Sequence, residues 1–412
     1  MGGAMNRIQN VCLCVIAKNE SLTLPRLLGS VLPLVEHAVV LDTGSEDGTI
    51  RVAAGLLGDK GKVVVSGWTD FGTARTESIR QARLWYPEAE WFLVLDCDET
   101  LEFQGSREWP EVEENVVAVM LRGRHLDDDV SWVRHHLLRA DLPWRYEGVL
   151  HEYATHDGES KADVVLLLDE PLVRCHDDGV RTVSARDKAE KFARDAEVLR
   201  VEALRDPENK RTWYYLGQAL KDAGDVPAAL QAFAARDAFG DGSEEHYMAC
   251  FQASVLLAEA GNPEAEHWMY KAFRMRPWRA EPLVGLAGLW RQRGRVGEAY
   301  IAAQRAVWMQ RPEAELFYMS DHFWNWGRED ELAVCAFKVG KVSEGIEMTE
   351  ALLARDDVPE EHKDRLRRNL SEGERYKREK ANGGRRNVRG ESAYGAALDE
   401  MLRAGPPVLR GP

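Results

Sequence analysis

Trp91-Phe92-Leu93-Val94-Leu95-Asp96-Cys97-Asp98-Glu99 sets the architecture of the first half of the chain. An apolar run of strand length enters directly into a cluster of carboxylates. Two carboxylates at i and i+2 on an extended segment point to the same side. Hard oxygen ligands of this kind suit Mg²⁺ or Mn²⁺, which keep coordination positions for phosphate oxygens. Acidic pairs also end many strands without binding anything, so the surroundings decide.

On the N-terminal side, apolar strand patterns fall at 11–17, 38–41 and 62–66, with helical periodicity at 22–34, 49–57 and 73–85 between and after them. Strands alternating with helices at this spacing predict βαβ units and a mostly parallel sheet. Ligands of such sheets gather at the carboxyl ends of the strands. The polar residues fall there: Lys18-Asn19-Glu20 after the first strand, Asp42-Thr43-Gly44-Ser45 after the second, and Asp96-Cys97-Asp98 after the fourth. Asp42 at a strand end can accept hydrogen bonds from a base or ribose. Asp47 or Ser45 reads as the N-cap of the following helix, so the whole octapeptide 42–49 also reads as turn and cap chemistry.

From about residue 184 the pattern becomes continuous helix. Trp213, Leu216, Gly217 and Leu220 share a face, Gly224 breaks the chain, and Ala229 and Phe233 mark the next helix. Similar copies run through Gly261, Ala265 and Ala272, then through Leu286, Gly294 and Ala299. A weaker copy runs through Leu332, Gly340 and Gly345. The period of about 34 residues is that of tetratricopeptide helix pairs. Such arrays present binding surfaces, but a plain helical brace or a homodimer interface fits the same pattern. The expected division is a catalytic α/β domain at 1–183, a helical-repeat domain at 184–372 and a basic, flexible tail at 373–412. That tail carries Arg375, Lys377, Arg378, Lys380, Arg385, Arg386 and Arg389.

The formal net charge of −15 argues against a general nucleic-acid binder. No apolar run approaches the roughly 18 residues of a membrane span. Residues 1–10 have no apolar core and do not read as a secretory signal. The six cysteines show no paired framework, and Cys12 and Cys14 read as small core residues of a strand. These features point to a reducing cytoplasm. The sequence holds no Lys-ended Gly-rich phosphate loop, no serine nucleophile elbow and no H-E-x-x-H zinc helix.

The segments 15–21, 41–49 and 96–98, in that order and spacing, resemble the opening of a family 2 glycosyltransferase with the GT-A fold. Further on, 68–75 and 144–152 are similar to segments of the bacterial peptide S-glycosyltransferases that modify glycocins such as sublancin. Cys175-His176-Asp177-Asp178-Gly179 and Trp213-Tyr214-Tyr215-Leu216-Gly217 continue that likeness. The resemblance implies a nucleotide-sugar donor, a UDP-sugar above all, and Mn²⁺ or Mg²⁺. It implies that Asp42 holds base or ribose, with Ala17, Asn19 and Glu20 as its pocket wall. Asp96 would contact ribose or metal, Asp98 and His176 would ligate the metal, and Arg75 would approach the diphosphate. Glu152 is placed as the catalytic base, with His151 as a second candidate for that role or for the metal. Trp132, Arg134, His135, His136, Trp144, Arg145 and Tyr146 lie between these motifs and suit sugar, acceptor or phosphate contacts.

The activity this implies is inverting transfer of a hexose to a hydroxyl or thiol, with a peptide or protein as acceptor. An envelope glycan or a modified DNA base is an alternative acceptor. Two other classes compete: a nucleotidyltransferase, and a non-catalytic tetratricopeptide interaction protein with a degenerate transferase domain.

Overall fold

A computed structural model describes residues 5–125, 130–158, 163–176, 178, 185–312 and 319–381. The chain divides into two compact units, Met1–Ala229 and Leu230–Pro412.

The first unit opens with β1 (Met5–Arg7), β2 (Val11–Ala17), α1 (Leu24–Val31), β3 (His37–Asp42), α2 (Thr49–Leu57), β4 (Gly61–Val65), α3 (Phe71–Trp85) and β5 (Trp91–Val94). Then come β6 (Glu99–Glu102), β7 (Glu111–Glu113), β8 (Val116–His125), β9 (Val130–Arg139), β10 (Trp144–Glu147), β11 (Tyr153–His156) and β12 (Val164–Cys175). The main sheet runs β4-β3-β2-β5-β9-β8-β12-β6. Its first four strands are parallel, as the alternating pattern predicts. Beyond them β9 lies antiparallel to β5 and β8, β12 parallel to β8, and β6 antiparallel to β12. The sheet is therefore mixed, with its parallel half carrying the strand ends singled out above.

Both faces of that half are covered. Val11, Leu13, Val15 and Val40 pack with Leu24, Leu27, Leu28 and Ala53 of α1 and α2. On the other face Cys12, Cys14, Val39 and Phe92 pack with Ile79 and Ala82 of α3. Cys12 and Cys14 are fully buried, as expected of a core strand, and all six cysteines are free.

Helices follow: α4 (Ala185–Arg205), α5 (Lys210–Asp222) and α6 (Val226–Asp237), in which the units divide. The second unit continues with α7 (Glu244–Glu259), α8 (Ala265–Met275), α9 (Glu281–Gln292), α10 (Val296–Val307), α11 (Arg328–Val339), α12 (Val342–Leu353) and α13 (Glu360–Ala381). Gly224, Gly261, Gly294 and Gly340 sit between successive helices with φ of +86°, +66°, +77° and +87°. That left-handed conformation is the ordinary stop of a helix, and glycine adopts it without a Cβ penalty. Between α9, α10 and α11 the core is built from Leu286, Ala287, Trp290, Ala299, Ala303, Leu332 and Ala336, small residues alternating with large ones. At the weak fourth copy a π-helical turn, Phe323–Gly327, precedes α11.

Arg375, Lys377 and Arg378, expected in the basic tail, lie in α13; Arg385, Arg386 and Arg389 lie outside the described residues. Among the described residues no helix is long and apolar enough to cross a membrane.

Candidate active site

The carboxyl edge of the parallel strands is built from two loops laced together. The Thr43 amide donates to Ala17 O at 2.9 Å. The Asn19 amide donates to Ser45 Oγ at 2.8 Å, and Asn19 Oδ1 accepts from the Glu46 amide at 2.8 Å. The Glu20 amide donates to Thr49 Oγ1 at 2.8 Å, and the Ser21 amide to Asp47 Oδ2 at 3.2 Å. Asn19 reaches this geometry at φ +59°, which asparagine tolerates better than most side chains. The N-cap of α2 is Gly48, without a side-chain cap; Asp47, one residue earlier, takes the Thr49 amide at 2.9 Å.

Asp42 is fully buried in the middle of this lacing. Its Oδ1 accepts from the amides of Gly44 and Ser45 at 3.0 and 2.9 Å, so one oxygen shapes the turn. Its Oδ2 is buried and has no protein partner. A buried carboxylate oxygen with nothing to accept from is costly, and a ligand N–H or O–H would relieve it.

The Asp-x-Asp segment departs from expectation in one respect. The strand ends at Val94, and 96–99 is a turn closed by the Glu99 amide on Asp96 O at 3.1 Å. Because the segment is not extended, the same-side rule does not govern its carboxylates. Asp96 lies between two arginines: Arg75 Nη2 donates to its Oδ1 and Arg134 Nη2 to its Oδ2, the latter at 3.1 Å. Arg75, only 5% exposed, also donates through Nε to Glu152. Arg134 reaches Glu99 at 2.6 Å.

Burial alone would raise the carboxyl of Asp96, but the two guanidinium groups hold it far below the usual range. Glu152, buried beside Arg75, is likewise held below its ordinary value. Glu99 goes the other way: desolvation, with Asp96 and Asp98 nearby, pushes it up to about 7 despite Arg134. The Nη1 of Arg75 is buried without a protein partner.

Asp98 lies at the other side of the turn, where the His176 amide donates to its carbonyl at 3.0 Å and Cys175 Sγ is 4.0 Å from its carboxylate. His176 Nε2 is 2.9 Å from Thr100 Oγ1. Burial and the nearby Arg26 lower the His176 pKa, favouring the neutral imidazole that ligates metals. Carboxylate oxygens with one imidazole form a donor set that Mn²⁺ or Mg²⁺ accepts. Asp98 and His176 thus offer donor types that suit a divalent cation, although among the described residues the structure does not draw them together with Asp96 into a three-ligand group.

Of the residues singled out in the sequence, Arg75, Asp96 and Glu152 share one network, and Asp98 and His176 share one ladder position. Ala17 and Asp42 lie on the edge, with the side chain of Asn19 spent on lacing its two loops. Thr23 Oγ1 donates to a carboxylate oxygen of Glu20. His151 is directed elsewhere, its ring parallel to Tyr215 with centroids 4.0 Å apart. Trp144 is a core residue bonded to Arg139 O at 3.0 Å, and Arg145 pairs with Glu147 and Asp157 on the surface. His136 is buried beneath Arg134, accepting from its Nε at 3.1 Å. Tyr146 has its ring 5.8 Å from the Arg75 guanidinium.

Roles that sequence reasoning missed are those of Arg134, counted only within an aromatic and basic cluster, and of Glu99. A second group also escaped it: Asp237, His246 and Cys250 bring ligand-type atoms within 4.8 Å of one another in the helical region. Asp237 there accepts from His246 at 2.8 Å, from Cys250 at 3.2 Å and from Lys271. With an ammonium on the same carboxylate, and burial pushing the Cys250 thiol well up, this group reads as a satisfied hydrogen-bond network.

Residues 12–160 match the model of glycosyl transferase family 2. A TPR repeat-containing protein of Synechococcus elongatus is 28% identical over 74% of this chain and 76% of its own length. Among solved structures, a MamA double mutant is 15% identical, covering 47% of this chain and 98% of its own, with a TM-score of 0.32. A thermophilic TPR protein of Thermus thermophilus is 14% identical over 46% of this chain and all of its own, also with a TM-score of 0.32. Likeness at those scores carries no weight by itself. Residues 12–160 are thus similar to glycosyl transferase family 2, and tetratricopeptide-like helix pairs follow them.

Proposed function

We propose that this protein is a metal-dependent, inverting glycosyltransferase that moves a hexose from a UDP-sugar to a hydroxyl or thiol of a peptide. The observation that carries the reading is the pair of buried, unpartnered polar atoms, Asp42 Oδ2 and Arg75 Nη1, at the edge where ligands of such sheets bind. One is an acceptor for a base or ribose, the other a donor for a diphosphate oxygen. Ala17, Asn19 and Glu20 form the wall around Asp42.

Asp98 and His176 would hold the cation, and Asp96 would contact it or the ribose. When bound, the cation neutralises the diphosphate and the leaving nucleotide. Glu152 is the base. It accepts the proton of the acceptor O–H or S–H as that atom bonds to the anomeric carbon. The bond from that carbon to the phosphate oxygen breaks, and the nucleoside diphosphate leaves with the electron pair. A single displacement inverts the carbon. With Glu152 bonded to Arg75 and held as a carboxylate, it is in the protonation state a base requires. Stacked helix pairs are a common scaffold for extended peptides. The likeness of 68–75 and 144–152 to glycocin S-glycosyltransferases supports the same acceptor. Free thiols throughout agree with the cytoplasm as compartment. The catalytic part is taken as 1–183 and the repeats as 184–372.

The test is hydrolysis of UDP-, GDP-, dTDP-, ADP- and CMP-sugars with added Mn²⁺, since transferases pass sugar slowly to water. Hydrolysis of a UDP-sugar, abolished by chelation and by Asp98→Ala in a folded protein, is the expected result. If no member of the panel is hydrolysed and none binds in calorimetry, the interaction-protein reading replaces this one.

A further inference from the structure

The segment that carries Glu152 is strung between two helices, and one of them belongs to the helix pairs. On one side Gly72 of α3 lets the chain approach so closely that a Cβ there would stand 2.6 Å from Gly148 O. The Tyr146 amide donates to Thr76 Oγ1 at 2.8 Å, and Glu152 pairs with Arg75. On the other side, Arg211 of α5 donates to His151 O through Nη2 at 3.0 Å and through Nε at 3.3 Å. The His151 ring lies parallel to Tyr215, also of α5, at an interplanar angle of 8°. The Arg211 guanidinium itself sits between two rings, 4.7 Å from the centroid of Tyr215 and 4.9 Å from that of Tyr153. Tyr153 is anchored in turn by its hydroxyl, which donates to Glu147 at 2.8 Å.

Between these anchors His151 takes φ +53°. A residue with a Cβ is rarely found in that left-handed region, and it stays there only when its surroundings over-determine it. Here the carbonyl and the ring of the same residue are both held from α5. His151 and Glu152, neighbours in sequence, thus engage different helices.

We propose that Arg211 and Tyr215 are positioning residues for Glu152: by holding His151 in its left-handed conformation, they keep the base seated on Arg75. This rests on the transferase reading above. The first helix pair then serves the chemistry and not only the acceptor. A displacement of about 1 Å at a reacting group can cost about a hundredfold in rate, so a clamp of this kind affects turnover more than donor binding.

The experiment uses the full chain carrying Arg211→Ala, Arg211→Lys or Tyr215→Ala, each first checked for an unchanged circular dichroism spectrum. Backbone hydrogen exchange is followed over 147–153, and hydrolysis over the donor panel with Mn²⁺. In Arg211→Ala the expected results are faster exchange confined to that segment and kcat down by roughly ten- to a hundredfold. KM for the donor should stay within about twofold. Arg211→Lys, which keeps the charge between the rings but loses the forked donor, should recover part of kcat. Tyr215→Ala, which removes the stacking ring, should speed exchange over the same segment and lower kcat. Unchanged exchange in Arg211→Ala overturns the clamp. Faster exchange with unchanged kcat overturns its role in positioning. An unaltered protein that hydrolyses nothing sinks the transferase reading itself, an outcome distinct from both.

Discussion

Asp96 and Arg134 meet beyond the end of the antiparallel pairing of β5 and β9: the pairing runs to Leu93 and Leu137, and past the end of β5 the carboxylate meets the guanidinium at 3.1 Å. The same Arg134 nitrogen serves Glu99 at 2.6 Å. Removing it leaves the buried Glu99 and the partly exposed Asp96 with one guanidinium fewer. Breaking a fully buried pair costs about 3–5 kcal/mol, and Arg134, about a third exposed, should show less. Arg134→Met is expected to lower stability by about 2 kcal/mol in urea titration. An unchanged midpoint would mean that water replaces the guanidinium at no cost.

Asp42 separates structure from binding within one carboxylate. In Asp42→Asn the amide oxygen can keep the Gly44 and Ser45 amides, so stability should move by less than about 1 kcal/mol. The other position becomes an N–H₂ donor in place of an acceptor. A charge-assisted bond is worth about 1.5–3 kcal/mol, so UDP affinity should fall at least about tenfold by calorimetry. Equal affinity in the two proteins would remove Asp42 from the nucleotide site.

Asp47 ties the second loop to the first. Desolvation alone would raise its carboxyl, but hydrogen bonds from Thr49 and Ser21 bring it down to about 2. A depressed carboxyl stabilises the fold above its unfolded value of about 3.9, and that contribution fades as the pH falls through the folded value. The stability difference between the unaltered protein and Asp47→Asn should therefore be present at pH 5 and shrink between about 4 and 2. Urea midpoints across that range measure it, and a difference independent of pH would discount the carboxylate.

Two glycines should respond differently to alanine. At Gly294 a Cβ meets nothing within 4 Å, so only φ +77° opposes it, and Gly294→Ala should cost about 1 kcal/mol. At Gly72 the obstacle is the Gly148 carbonyl, and overpacking of this kind costs about 1–3 kcal/mol. Only Gly72→Ala should also raise hydrogen exchange over 147–153. Thermal melts together with exchange would separate strain from collision.

Local patterns were legible in the sequence because their causes are local. The strand at 11–17, the helix at 49–57 and the helix stops at Gly224, Gly261, Gly294 and Gly340 all follow from periodicity or from backbone preference. The place of Asp42, a polar residue ending an apolar strand, was legible for the same reason. The partners of Asp96 were not legible, since Arg134 meets it only through the register of a distant antiparallel strand. The cap of α2 fell on Gly48 because Asp47 was committed to Ser21 as well as to Thr49. The orientation of His151 depends on a helix some sixty positions later in the chain, and nothing near His151 announces it.

The division of the chain at Ala229 also has a practical meaning. Residues 210–222, although helical and repeat-like, fall with the sheet. On the transferase reading proposed above, a graft meant to change the acceptor should therefore exchange only the residues beyond Ala229. A splice made at 184, where helix first replaces strand, would carry Arg211 and Tyr215 away with the cargo.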